Sequence, residues 1–195
     1  MRRLLVLLLL LPLLCSAAAA DFVPETDYMA LMMEAAAAGD AAAGYAAEAR
    51  RAEKLAAMMP DGVRIAYDDL CLLARIIEAE AGSAWLDMEW KMSVGEVVLN
   101  RVASPEFPDT IAAVLAQPGQ YYGAHNRWFN ALLPSAASVE AAKRLLAGER
   151  VLREPSVVFQ ANLRLGSGVF RELRDALLGS TYLCFSSHRE LYLSA

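Results

Sequence analysis

The chain predicts an α+β fold, mainly helical, with a small β-hairpin or sheet. Three observations carry that reading. Apolar residues recur at helical spacing through 28–38, 41–59, 70–81 and 88–101. β-prone runs are confined to the C-terminal part, at 157–162 and 182–186, around the turn signal Gly166-Ser167-Gly168. With 195 residues and 57% hydrophobic letters, the chain has material for one packed core plus extensions. A net charge of -5 sets nucleic acid aside as a partner, because that grip needs a basic face.

Residues 1–20 read as an export signal. Arg2 and Arg3 form a basic start, 4–14 a leucine-rich core, and 17–20 a run of small residues for cleavage. The apolar run is shorter than the ~20 residues a membrane span needs. No stable span is expected after cleavage; the competing reading is an uncleaved anchor that borrows the alanines. Acylation of Cys15 is disfavoured by Leu14, which stands where lipoprotein signals want a small residue. Cleavage would remove two arginines and no acid, so a secreted or wall-associated product is more acidic still. Any anionic polymer must then be held by a shaped groove rather than by charge.

Export leaves Cys71 and Cys184 in an oxidising compartment. A disulfide between them would close a long loop and stabilise by about 2–4 kcal/mol. Two separately buried thiols are the open alternative. A metal site from Cys71, Cys184, His125 and His188 is not expected, since none shows the close paired spacing of zinc ligands.

Residues 21–62 form an Ala-rich segment of two helices, 28–38 and 41–59, broken at Gly39-Asp40. Met32, Met33, Met58 and Met59 are expected to pack a helical hairpin rather than bind a ligand. Pro60-Asp61-Gly62 is a turn and the boundary of a main domain over 63–195.

In that domain Tyr67-Asp68-Asp69 supplies N-cap chemistry and first-turn acids. Leu70, Leu73, Ala74, Ile77 and Ala81 make a core-facing stripe. Glu80 lies three residues after Ile77 and seven after Leu73, so it projects from or beside the apolar face. Gly82 then stops the helix and leaves Glu80 in the last turn. Desolvation and the negative helix end both disfavour its charged form. A raised pKa is what a general acid needs at neutral pH. A Glu that reaches solvent or an arginine is the bland alternative. Glu78, three residues after Arg75, reads as a solvated pair.

The next helix, 88–101, carries Trp90, Val94, Val97 and Val98 on one side. Glu89, Ser93, Glu96 and Asn100 form a polar stripe on another. Such a stripe is ordinarily the wet face, yet beside a terminal carboxyl it also describes a sugar-binding cleft, with Glu89 and Asn100 as candidate contacts.

These blocks resemble the SleB-type cell wall hydrolases, the spore cortex-lytic enzyme family. The resemblance rests on Ala79-Glu80-Ala81, VVLNRV at 97–102, FPDTI at 107–111 and QPGQY at 117–121. It continues through 141–149, SVVFQAN at 156–162 and LGSGVF at 165–170, covering roughly 68 to the C-terminus. It implies a lysozyme-like catalytic domain acting on peptidoglycan glycan strands, with Glu80 as the catalytic acid. Trp90 departs from the family, which commonly has Gly there, and the loop before it is about two residues longer. The Trp is expected to narrow the cleft or offer a stacking face.

Two-carboxylate hydrolysis needs a second acid across the bond, and no spacing rule places Glu89 or Glu96 there. A lone acid suits a lytic transglycosylase: Glu80 protonates the glycosidic oxygen between N-acetylmuramic acid and N-acetylglucosamine. It then serves as base while the sugar's own 6-hydroxyl closes a 1,6-anhydro ring, with no metal or cofactor. A hydrolytic muramidase or glucosaminidase is the close alternative, and an inactive wall-binding module the distant one. Oligomeric state is not legible.

For groove walls the sequence offers Gln120, Tyr121, Tyr122, Trp128 and Asn130, an aromatic and amide-rich loop after Pro118-Gly119. Trp128 reads equally as a buried loop anchor. Ser138 is expected to N-cap a helix that ends at Ala147-Gly148. Residues 157–162 are expected to form a hairpin with Val169-Phe170, presenting Gln160 and Asn162 to substrate. Residues 182–186 follow as a last strand, and His125 and His188 as surface residues.

Overall fold

The computed structural model describes residues 26–59 and 62–192. The export signal, Cys15 and the Pro60-Asp61 part of the expected turn lie outside the described residues. The architecture is mainly helical α+β. Among the described residues no helix is long and apolar enough to cross a membrane.

Helix α1 (Tyr28–Ala38) starts where Asp27 accepts from the Ala30 amide, and stops at Gly39, whose φ of 72° needs a residue without a Cβ. Helix α2 (Ala41–Met58) begins on Asp40 in the same way. Met32 is fully buried and Met33 packs beside it, as a packing role requires. Met58 and Met59 are exposed instead, because the last turn of α2 runs past the core.

Helix α3 (Tyr67–Ala81) buries Leu70, Leu73, Ala74, Ile76, Ile77 and Ala81. Its cap corrects the sequence reading. Ala66 is the N-cap and offers no side chain; the Tyr67 amide donates to Glu48 of α2 at 2.9 Å, while Asp68 and Asp69 sit in the first turn. Gly82 ends the helix in ordinary right-handed backbone, not the left-handed form of a glycine stop.

Helix α4 (Met88–Ala103) is the centre of the molecule. Val94 and Val98 join the core shared with α3, while Val97 packs with Leu152, Val157 and Leu183 under the sheet. Gly95 explains the close approach on the first side. A Cβ there would stand 2.5 Å from Leu145 Cδ1 and 2.8 Å from Ile77 Cδ1. A short helix α5 (Ile111–Leu115) follows, capped by Thr110.

Helix α6 (Ala136–Leu146) is capped by Ser135, not Ser138. Ser138 is buried, and its hydroxyl donates to Glu78 at 2.7 Å; the Ser135 amide and hydroxyl donate to the same carboxylate at 3.0 and 2.7 Å. Glu78 is therefore no solvated partner of Arg75. It binds the start of α6, and Arg75 donates to the Leu132 carbonyl.

Strands β1 (Val157–Ala161), β2 (Val169–Asp175) and β3 (Gly179–Phe185) form an antiparallel sheet in the order β1-β3-β2. The expected hairpin between 157–162 and Val169-Phe170 does not form. β3 lies between those strands, and the true hairpin joins β2 to β3. Cys71 and Cys184 are free thiols, each buried, on α3 and β3. The disulfide expectation gives way to two separately packed thiols.

Candidate active site

Glu80 stands in the last turn of α3 and faces β1. Gln160 Nε2 donates to Glu80 Oε2 across a long 3.4 Å. Gly123 closes the other side, where an added Cβ would sit 3.6 Å from Glu80 Oε1. A pocket of about 190 Å³ is lined by Glu80, Arg101, Gln120, Tyr121, Tyr122 and Gln160. The Glu80 residue stays open to solvent along this pocket, yet its carboxyl is crowded. Burial raises its pKa above the usual carboxylate value, and only the weak Gln160 bond opposes the shift. Among the described residues no second carboxylate lines the pocket.

Lys91 positions the stretch after Glu80. It is 2% exposed, and its ammonium donates to the carbonyls of Ala81 at 2.5 Å and Ser83 at 3.2 Å. A buried cation thus caps the carbonyl end of α3, where the helix dipole is negative. Its signal was present in the sequence: Lys91 lies three and seven residues before Val94 and Val98, on an apolar line.

Arg101 forms the floor. It is 3% exposed; Nε donates to the Val158 carbonyl of β1 at 2.6 Å and Nη2 to Gln120 Oε1 at 2.9 Å. The guanidinium lies over Phe107 and Tyr121, each at 4.9 Å, and over Phe159 at 5.6 Å. Such stacking suits the planar, weakly hydrated guanidinium. Tyr121 takes a left-handed backbone with φ of 44°, which turns its ring inward. Burial is the main cause that pushes its phenol up to about 12, with Arg101 opposing and Glu80 adding.

The expected residues therefore divide. Gln120, Tyr121, Tyr122 and Gln160 meet around Glu80, with Arg101 as a pocket residue that sequence reasoning did not assign. Asn100, Glu89 and Asn162 are elsewhere. Asn100 is buried, and its Nδ2 donates to the carbonyls of Glu154 and Val157 at 3.1 and 2.9 Å. Glu96, 1% exposed, accepts from the amides of Val151, Leu152 and Arg153 at 2.6, 2.9 and 2.9 Å. From Glu96 to Asn100 the polar stripe of α4 is thus neither a wet face nor a groove. It is the dock for the chain that leads into β1.

Glu89 is exposed and pairs with Arg171 of β2 at 2.6 Å. Asn162 is exposed just beyond β1. Trp90 is half-buried against the main core and does not line the pocket, so it neither narrows nor faces it. Trp128 is exposed beneath the Arg127 guanidinium rather than anchoring its loop from within. His125 and His188 are exposed. Among the described residues no group of three His, Cys, Asp or Glu is placed to hold a metal ion.

Comparison with known proteins adds sequence kinship to this geometry. A family model described as Cell Wall Hydrolase matches residues 87–163. The spore cortex-lytic enzyme of Bacillus subtilis (strain 168) is 36% identical over 72 residues, which are 37% of this chain and 22% of that protein. The chain thus spans about a fifth of the length of that curated relative. No solved structure gives a significant match. The family match runs from the cap of α4 to just beyond β1. It contains Arg101, Gln120, Tyr121, Tyr122 and Gln160, and starts after Glu80.

Proposed function

We propose that the chain, whose residues 87–163 match the cell wall hydrolase family model, is an extracytoplasmic peptidoglycan-degrading enzyme with Glu80 as its general acid. The observation that carries the proposal is the pocket itself: one carboxyl, raised in pKa by burial, beside amide and phenol groups suited to sugar hydroxyls.

The chemistry follows from what faces Glu80. Protonated, it gives its proton to the glycosidic oxygen between N-acetylmuramic acid and N-acetylglucosamine as the C–O bond breaks. The resulting carboxylate takes the proton of the 6-hydroxyl as that oxygen closes on C1, so the carboxyl returns to its starting state. With no other carboxylate lining the pocket among the described residues, the 1,6-anhydro route of a lytic transglycosylase is favoured over two-carboxylate hydrolysis. Gln160 holds the carboxyl in place, and its long bond leaves Glu80 able to lose and regain a proton.

The test is mass spectrometry of the products from purified peptidoglycan. Anhydro ends support the transglycosylase; reducing ends would replace it with hydrolysis. No release of muropeptides by the wild type leaves a wall-binding module and overturns the enzymatic reading.

A further inference from the structure

A second pocket, of about 480 Å³, opens between the start of α4 and the end of α6. Its charges do not cancel. Arg144 grips Glu149 through two nitrogens, and Glu89 pairs with Arg171 of β2 at 2.6 Å. Two guanidinium groups on the same lining, those of Arg150 and Arg153, are left without an acid among the described residues. Arg150 spends one nitrogen, Nη1, on the carbonyls of Leu145 and Glu149 at 2.7 and 2.8 Å, and keeps the others. The Arg153 backbone is held in the left-handed region, with φ of 55°, which a Cβ disfavours. Glu96, 1% exposed, enforces this by accepting the Arg153 amide at 2.9 Å along with the two amides before it. Tyr121 is the other non-glycine residue with positive φ among the described residues, and it lines the Glu80 pocket. Strained residues of this kind gather at working sites. Glycine would meet the demand of the backbone at 153 with less strain; what the arginine adds is its charge.

We propose that this pocket is a subsite for the free carboxylates of the peptide stem carried by the glycan strand, with Arg150 and Arg153 as its anchors. The planar fork of a guanidinium meets a carboxylate through two parallel hydrogen bonds. Met88, Met92 and Val151 give the pocket an apolar side for the methyl and methylene groups of a peptide. Glu89 and Glu149, both exposed on its rim, suit the amine of a stem diamino acid and oppose a polymer with a phosphate at each repeat. The position agrees with this occupant. Gln160 of the Glu80 pocket and Arg171 both pair with Leu183, one from each side. They are thus two strand spacings apart, ~10 Å, and Glu89 on the edge of the second pocket reaches Arg171. An extended peptide covers that span with about three residues. The inference rests on the proposed glycan-cleaving function and names a further part of the wall polymer that the chain reads.

The test is calorimetric binding to the full chain, which does not depend on turnover. The probes are a free stem tetrapeptide, the same peptide with its carboxyls amidated, and an oligomer of glycerol phosphate. The free acid should bind, and amidation should weaken it roughly 10- to 100-fold, the worth of a charged hydrogen bond. Arg153→Gly should bring a similar loss, and Arg153→Lys, which keeps the charge without the fork, should fall between it and the wild type. Because glycine accepts the left-handed backbone, Arg153→Gly should melt close to the wild type, which separates a lost ligand contact from a lost fold. The amidation comparison uses the wild type and stands whatever the variants do. Equal binding of the free and amidated peptides, tighter binding of the phosphate oligomer, or unchanged binding by Arg153→Gly overturns the subsite. Muropeptide release by the wild type is measured beside it. Release without carboxylate-dependent binding overturns the subsite and leaves the enzyme standing; carboxylate-dependent binding without release sustains the subsite and overturns the enzyme.

Discussion

Glu78 and Glu80 are two residues apart on one helix and have opposite fates. Glu78 is partly buried, which alone would raise its pKa. Three hydrogen bonds from Ser135 and Ser138 outweigh that, and its carboxyl is held below the usual value. Glu80 is crowded too, but one long bond from Gln160 is all that opposes burial, and its carboxyl is held above the usual value. At Glu78 the donors that reach the carboxylate outweigh its burial, and at Glu80 the greater burial outweighs the single long donor. Glu96 is less exposed than either, and three backbone amides are directed at it. A carboxylate met by several donors is a structural ligand, and one met by a single weak donor is free to trade protons.

The sharpest way to break this contrast is Glu80→Gln. It keeps the size and the contact with Gln160 but removes the proton, so muropeptide release should fall by roughly 1000-fold, about 4 kcal/mol of barrier. Its effect on stability should run the other way. A carboxyl whose folded pKa is raised stabilises fully at acid pH and loses that contribution as pH rises through the folded value. At neutral pH the variant should therefore melt no lower than the wild type, and thermal unfolding at two pH values checks it. A marked drop in melting temperature would make Glu80 a structural residue like Glu96.

Glu96→Gln should do the reverse. Three amides now share one weaker acceptor oxygen, and a loss of about 3 kcal/mol follows, seen as a lower midpoint in urea. Smaller again is Glu78→Gln, worth about 1 kcal/mol because the site is partly open to solvent. Here the pH dependence identifies the cause. A depressed folded pKa gives stability that is present above the ordinary Glu value and is lost as pH falls through the folded one. The variant should be less stable than the wild type at neutral pH and converge with it in acid.

Much of the site's skeleton was legible in the chain. The helices announce themselves by spacing, and Glu80 by an acid where the apolar stripe of α3 should continue. Gln120, Tyr121, Tyr122 and Gln160 could be picked as sugar-facing types, but nothing in one dimension shows that Arg101 rises between them. The stripe of α4 was misread for a definable reason. A polar line on a helix looks the same whether it meets water or the backbone amides of another segment, and here the segment from 151 to 157 is the partner. Ser135 and Ser138 both have capping chemistry, and only the position of Glu78 decides between them. The sheet order escaped because β1 pairs with the last strand, and two turn-flanked strands do not reveal that a third will come between them.

One consequence of Arg101 reaches beyond the pocket floor. The same side chain that touches Gln120 and overlies Tyr121 also grips the Val158 carbonyl of β1, two residues before Gln160. The helical wall and the strand wall of the cleft are thereby fastened to a single rivet. The gap between them is a fixed gauge set from within α4, rather than a jaw set by loops. Under the proposed function, the width open to a glycan strand at this point is set from the core of the protein.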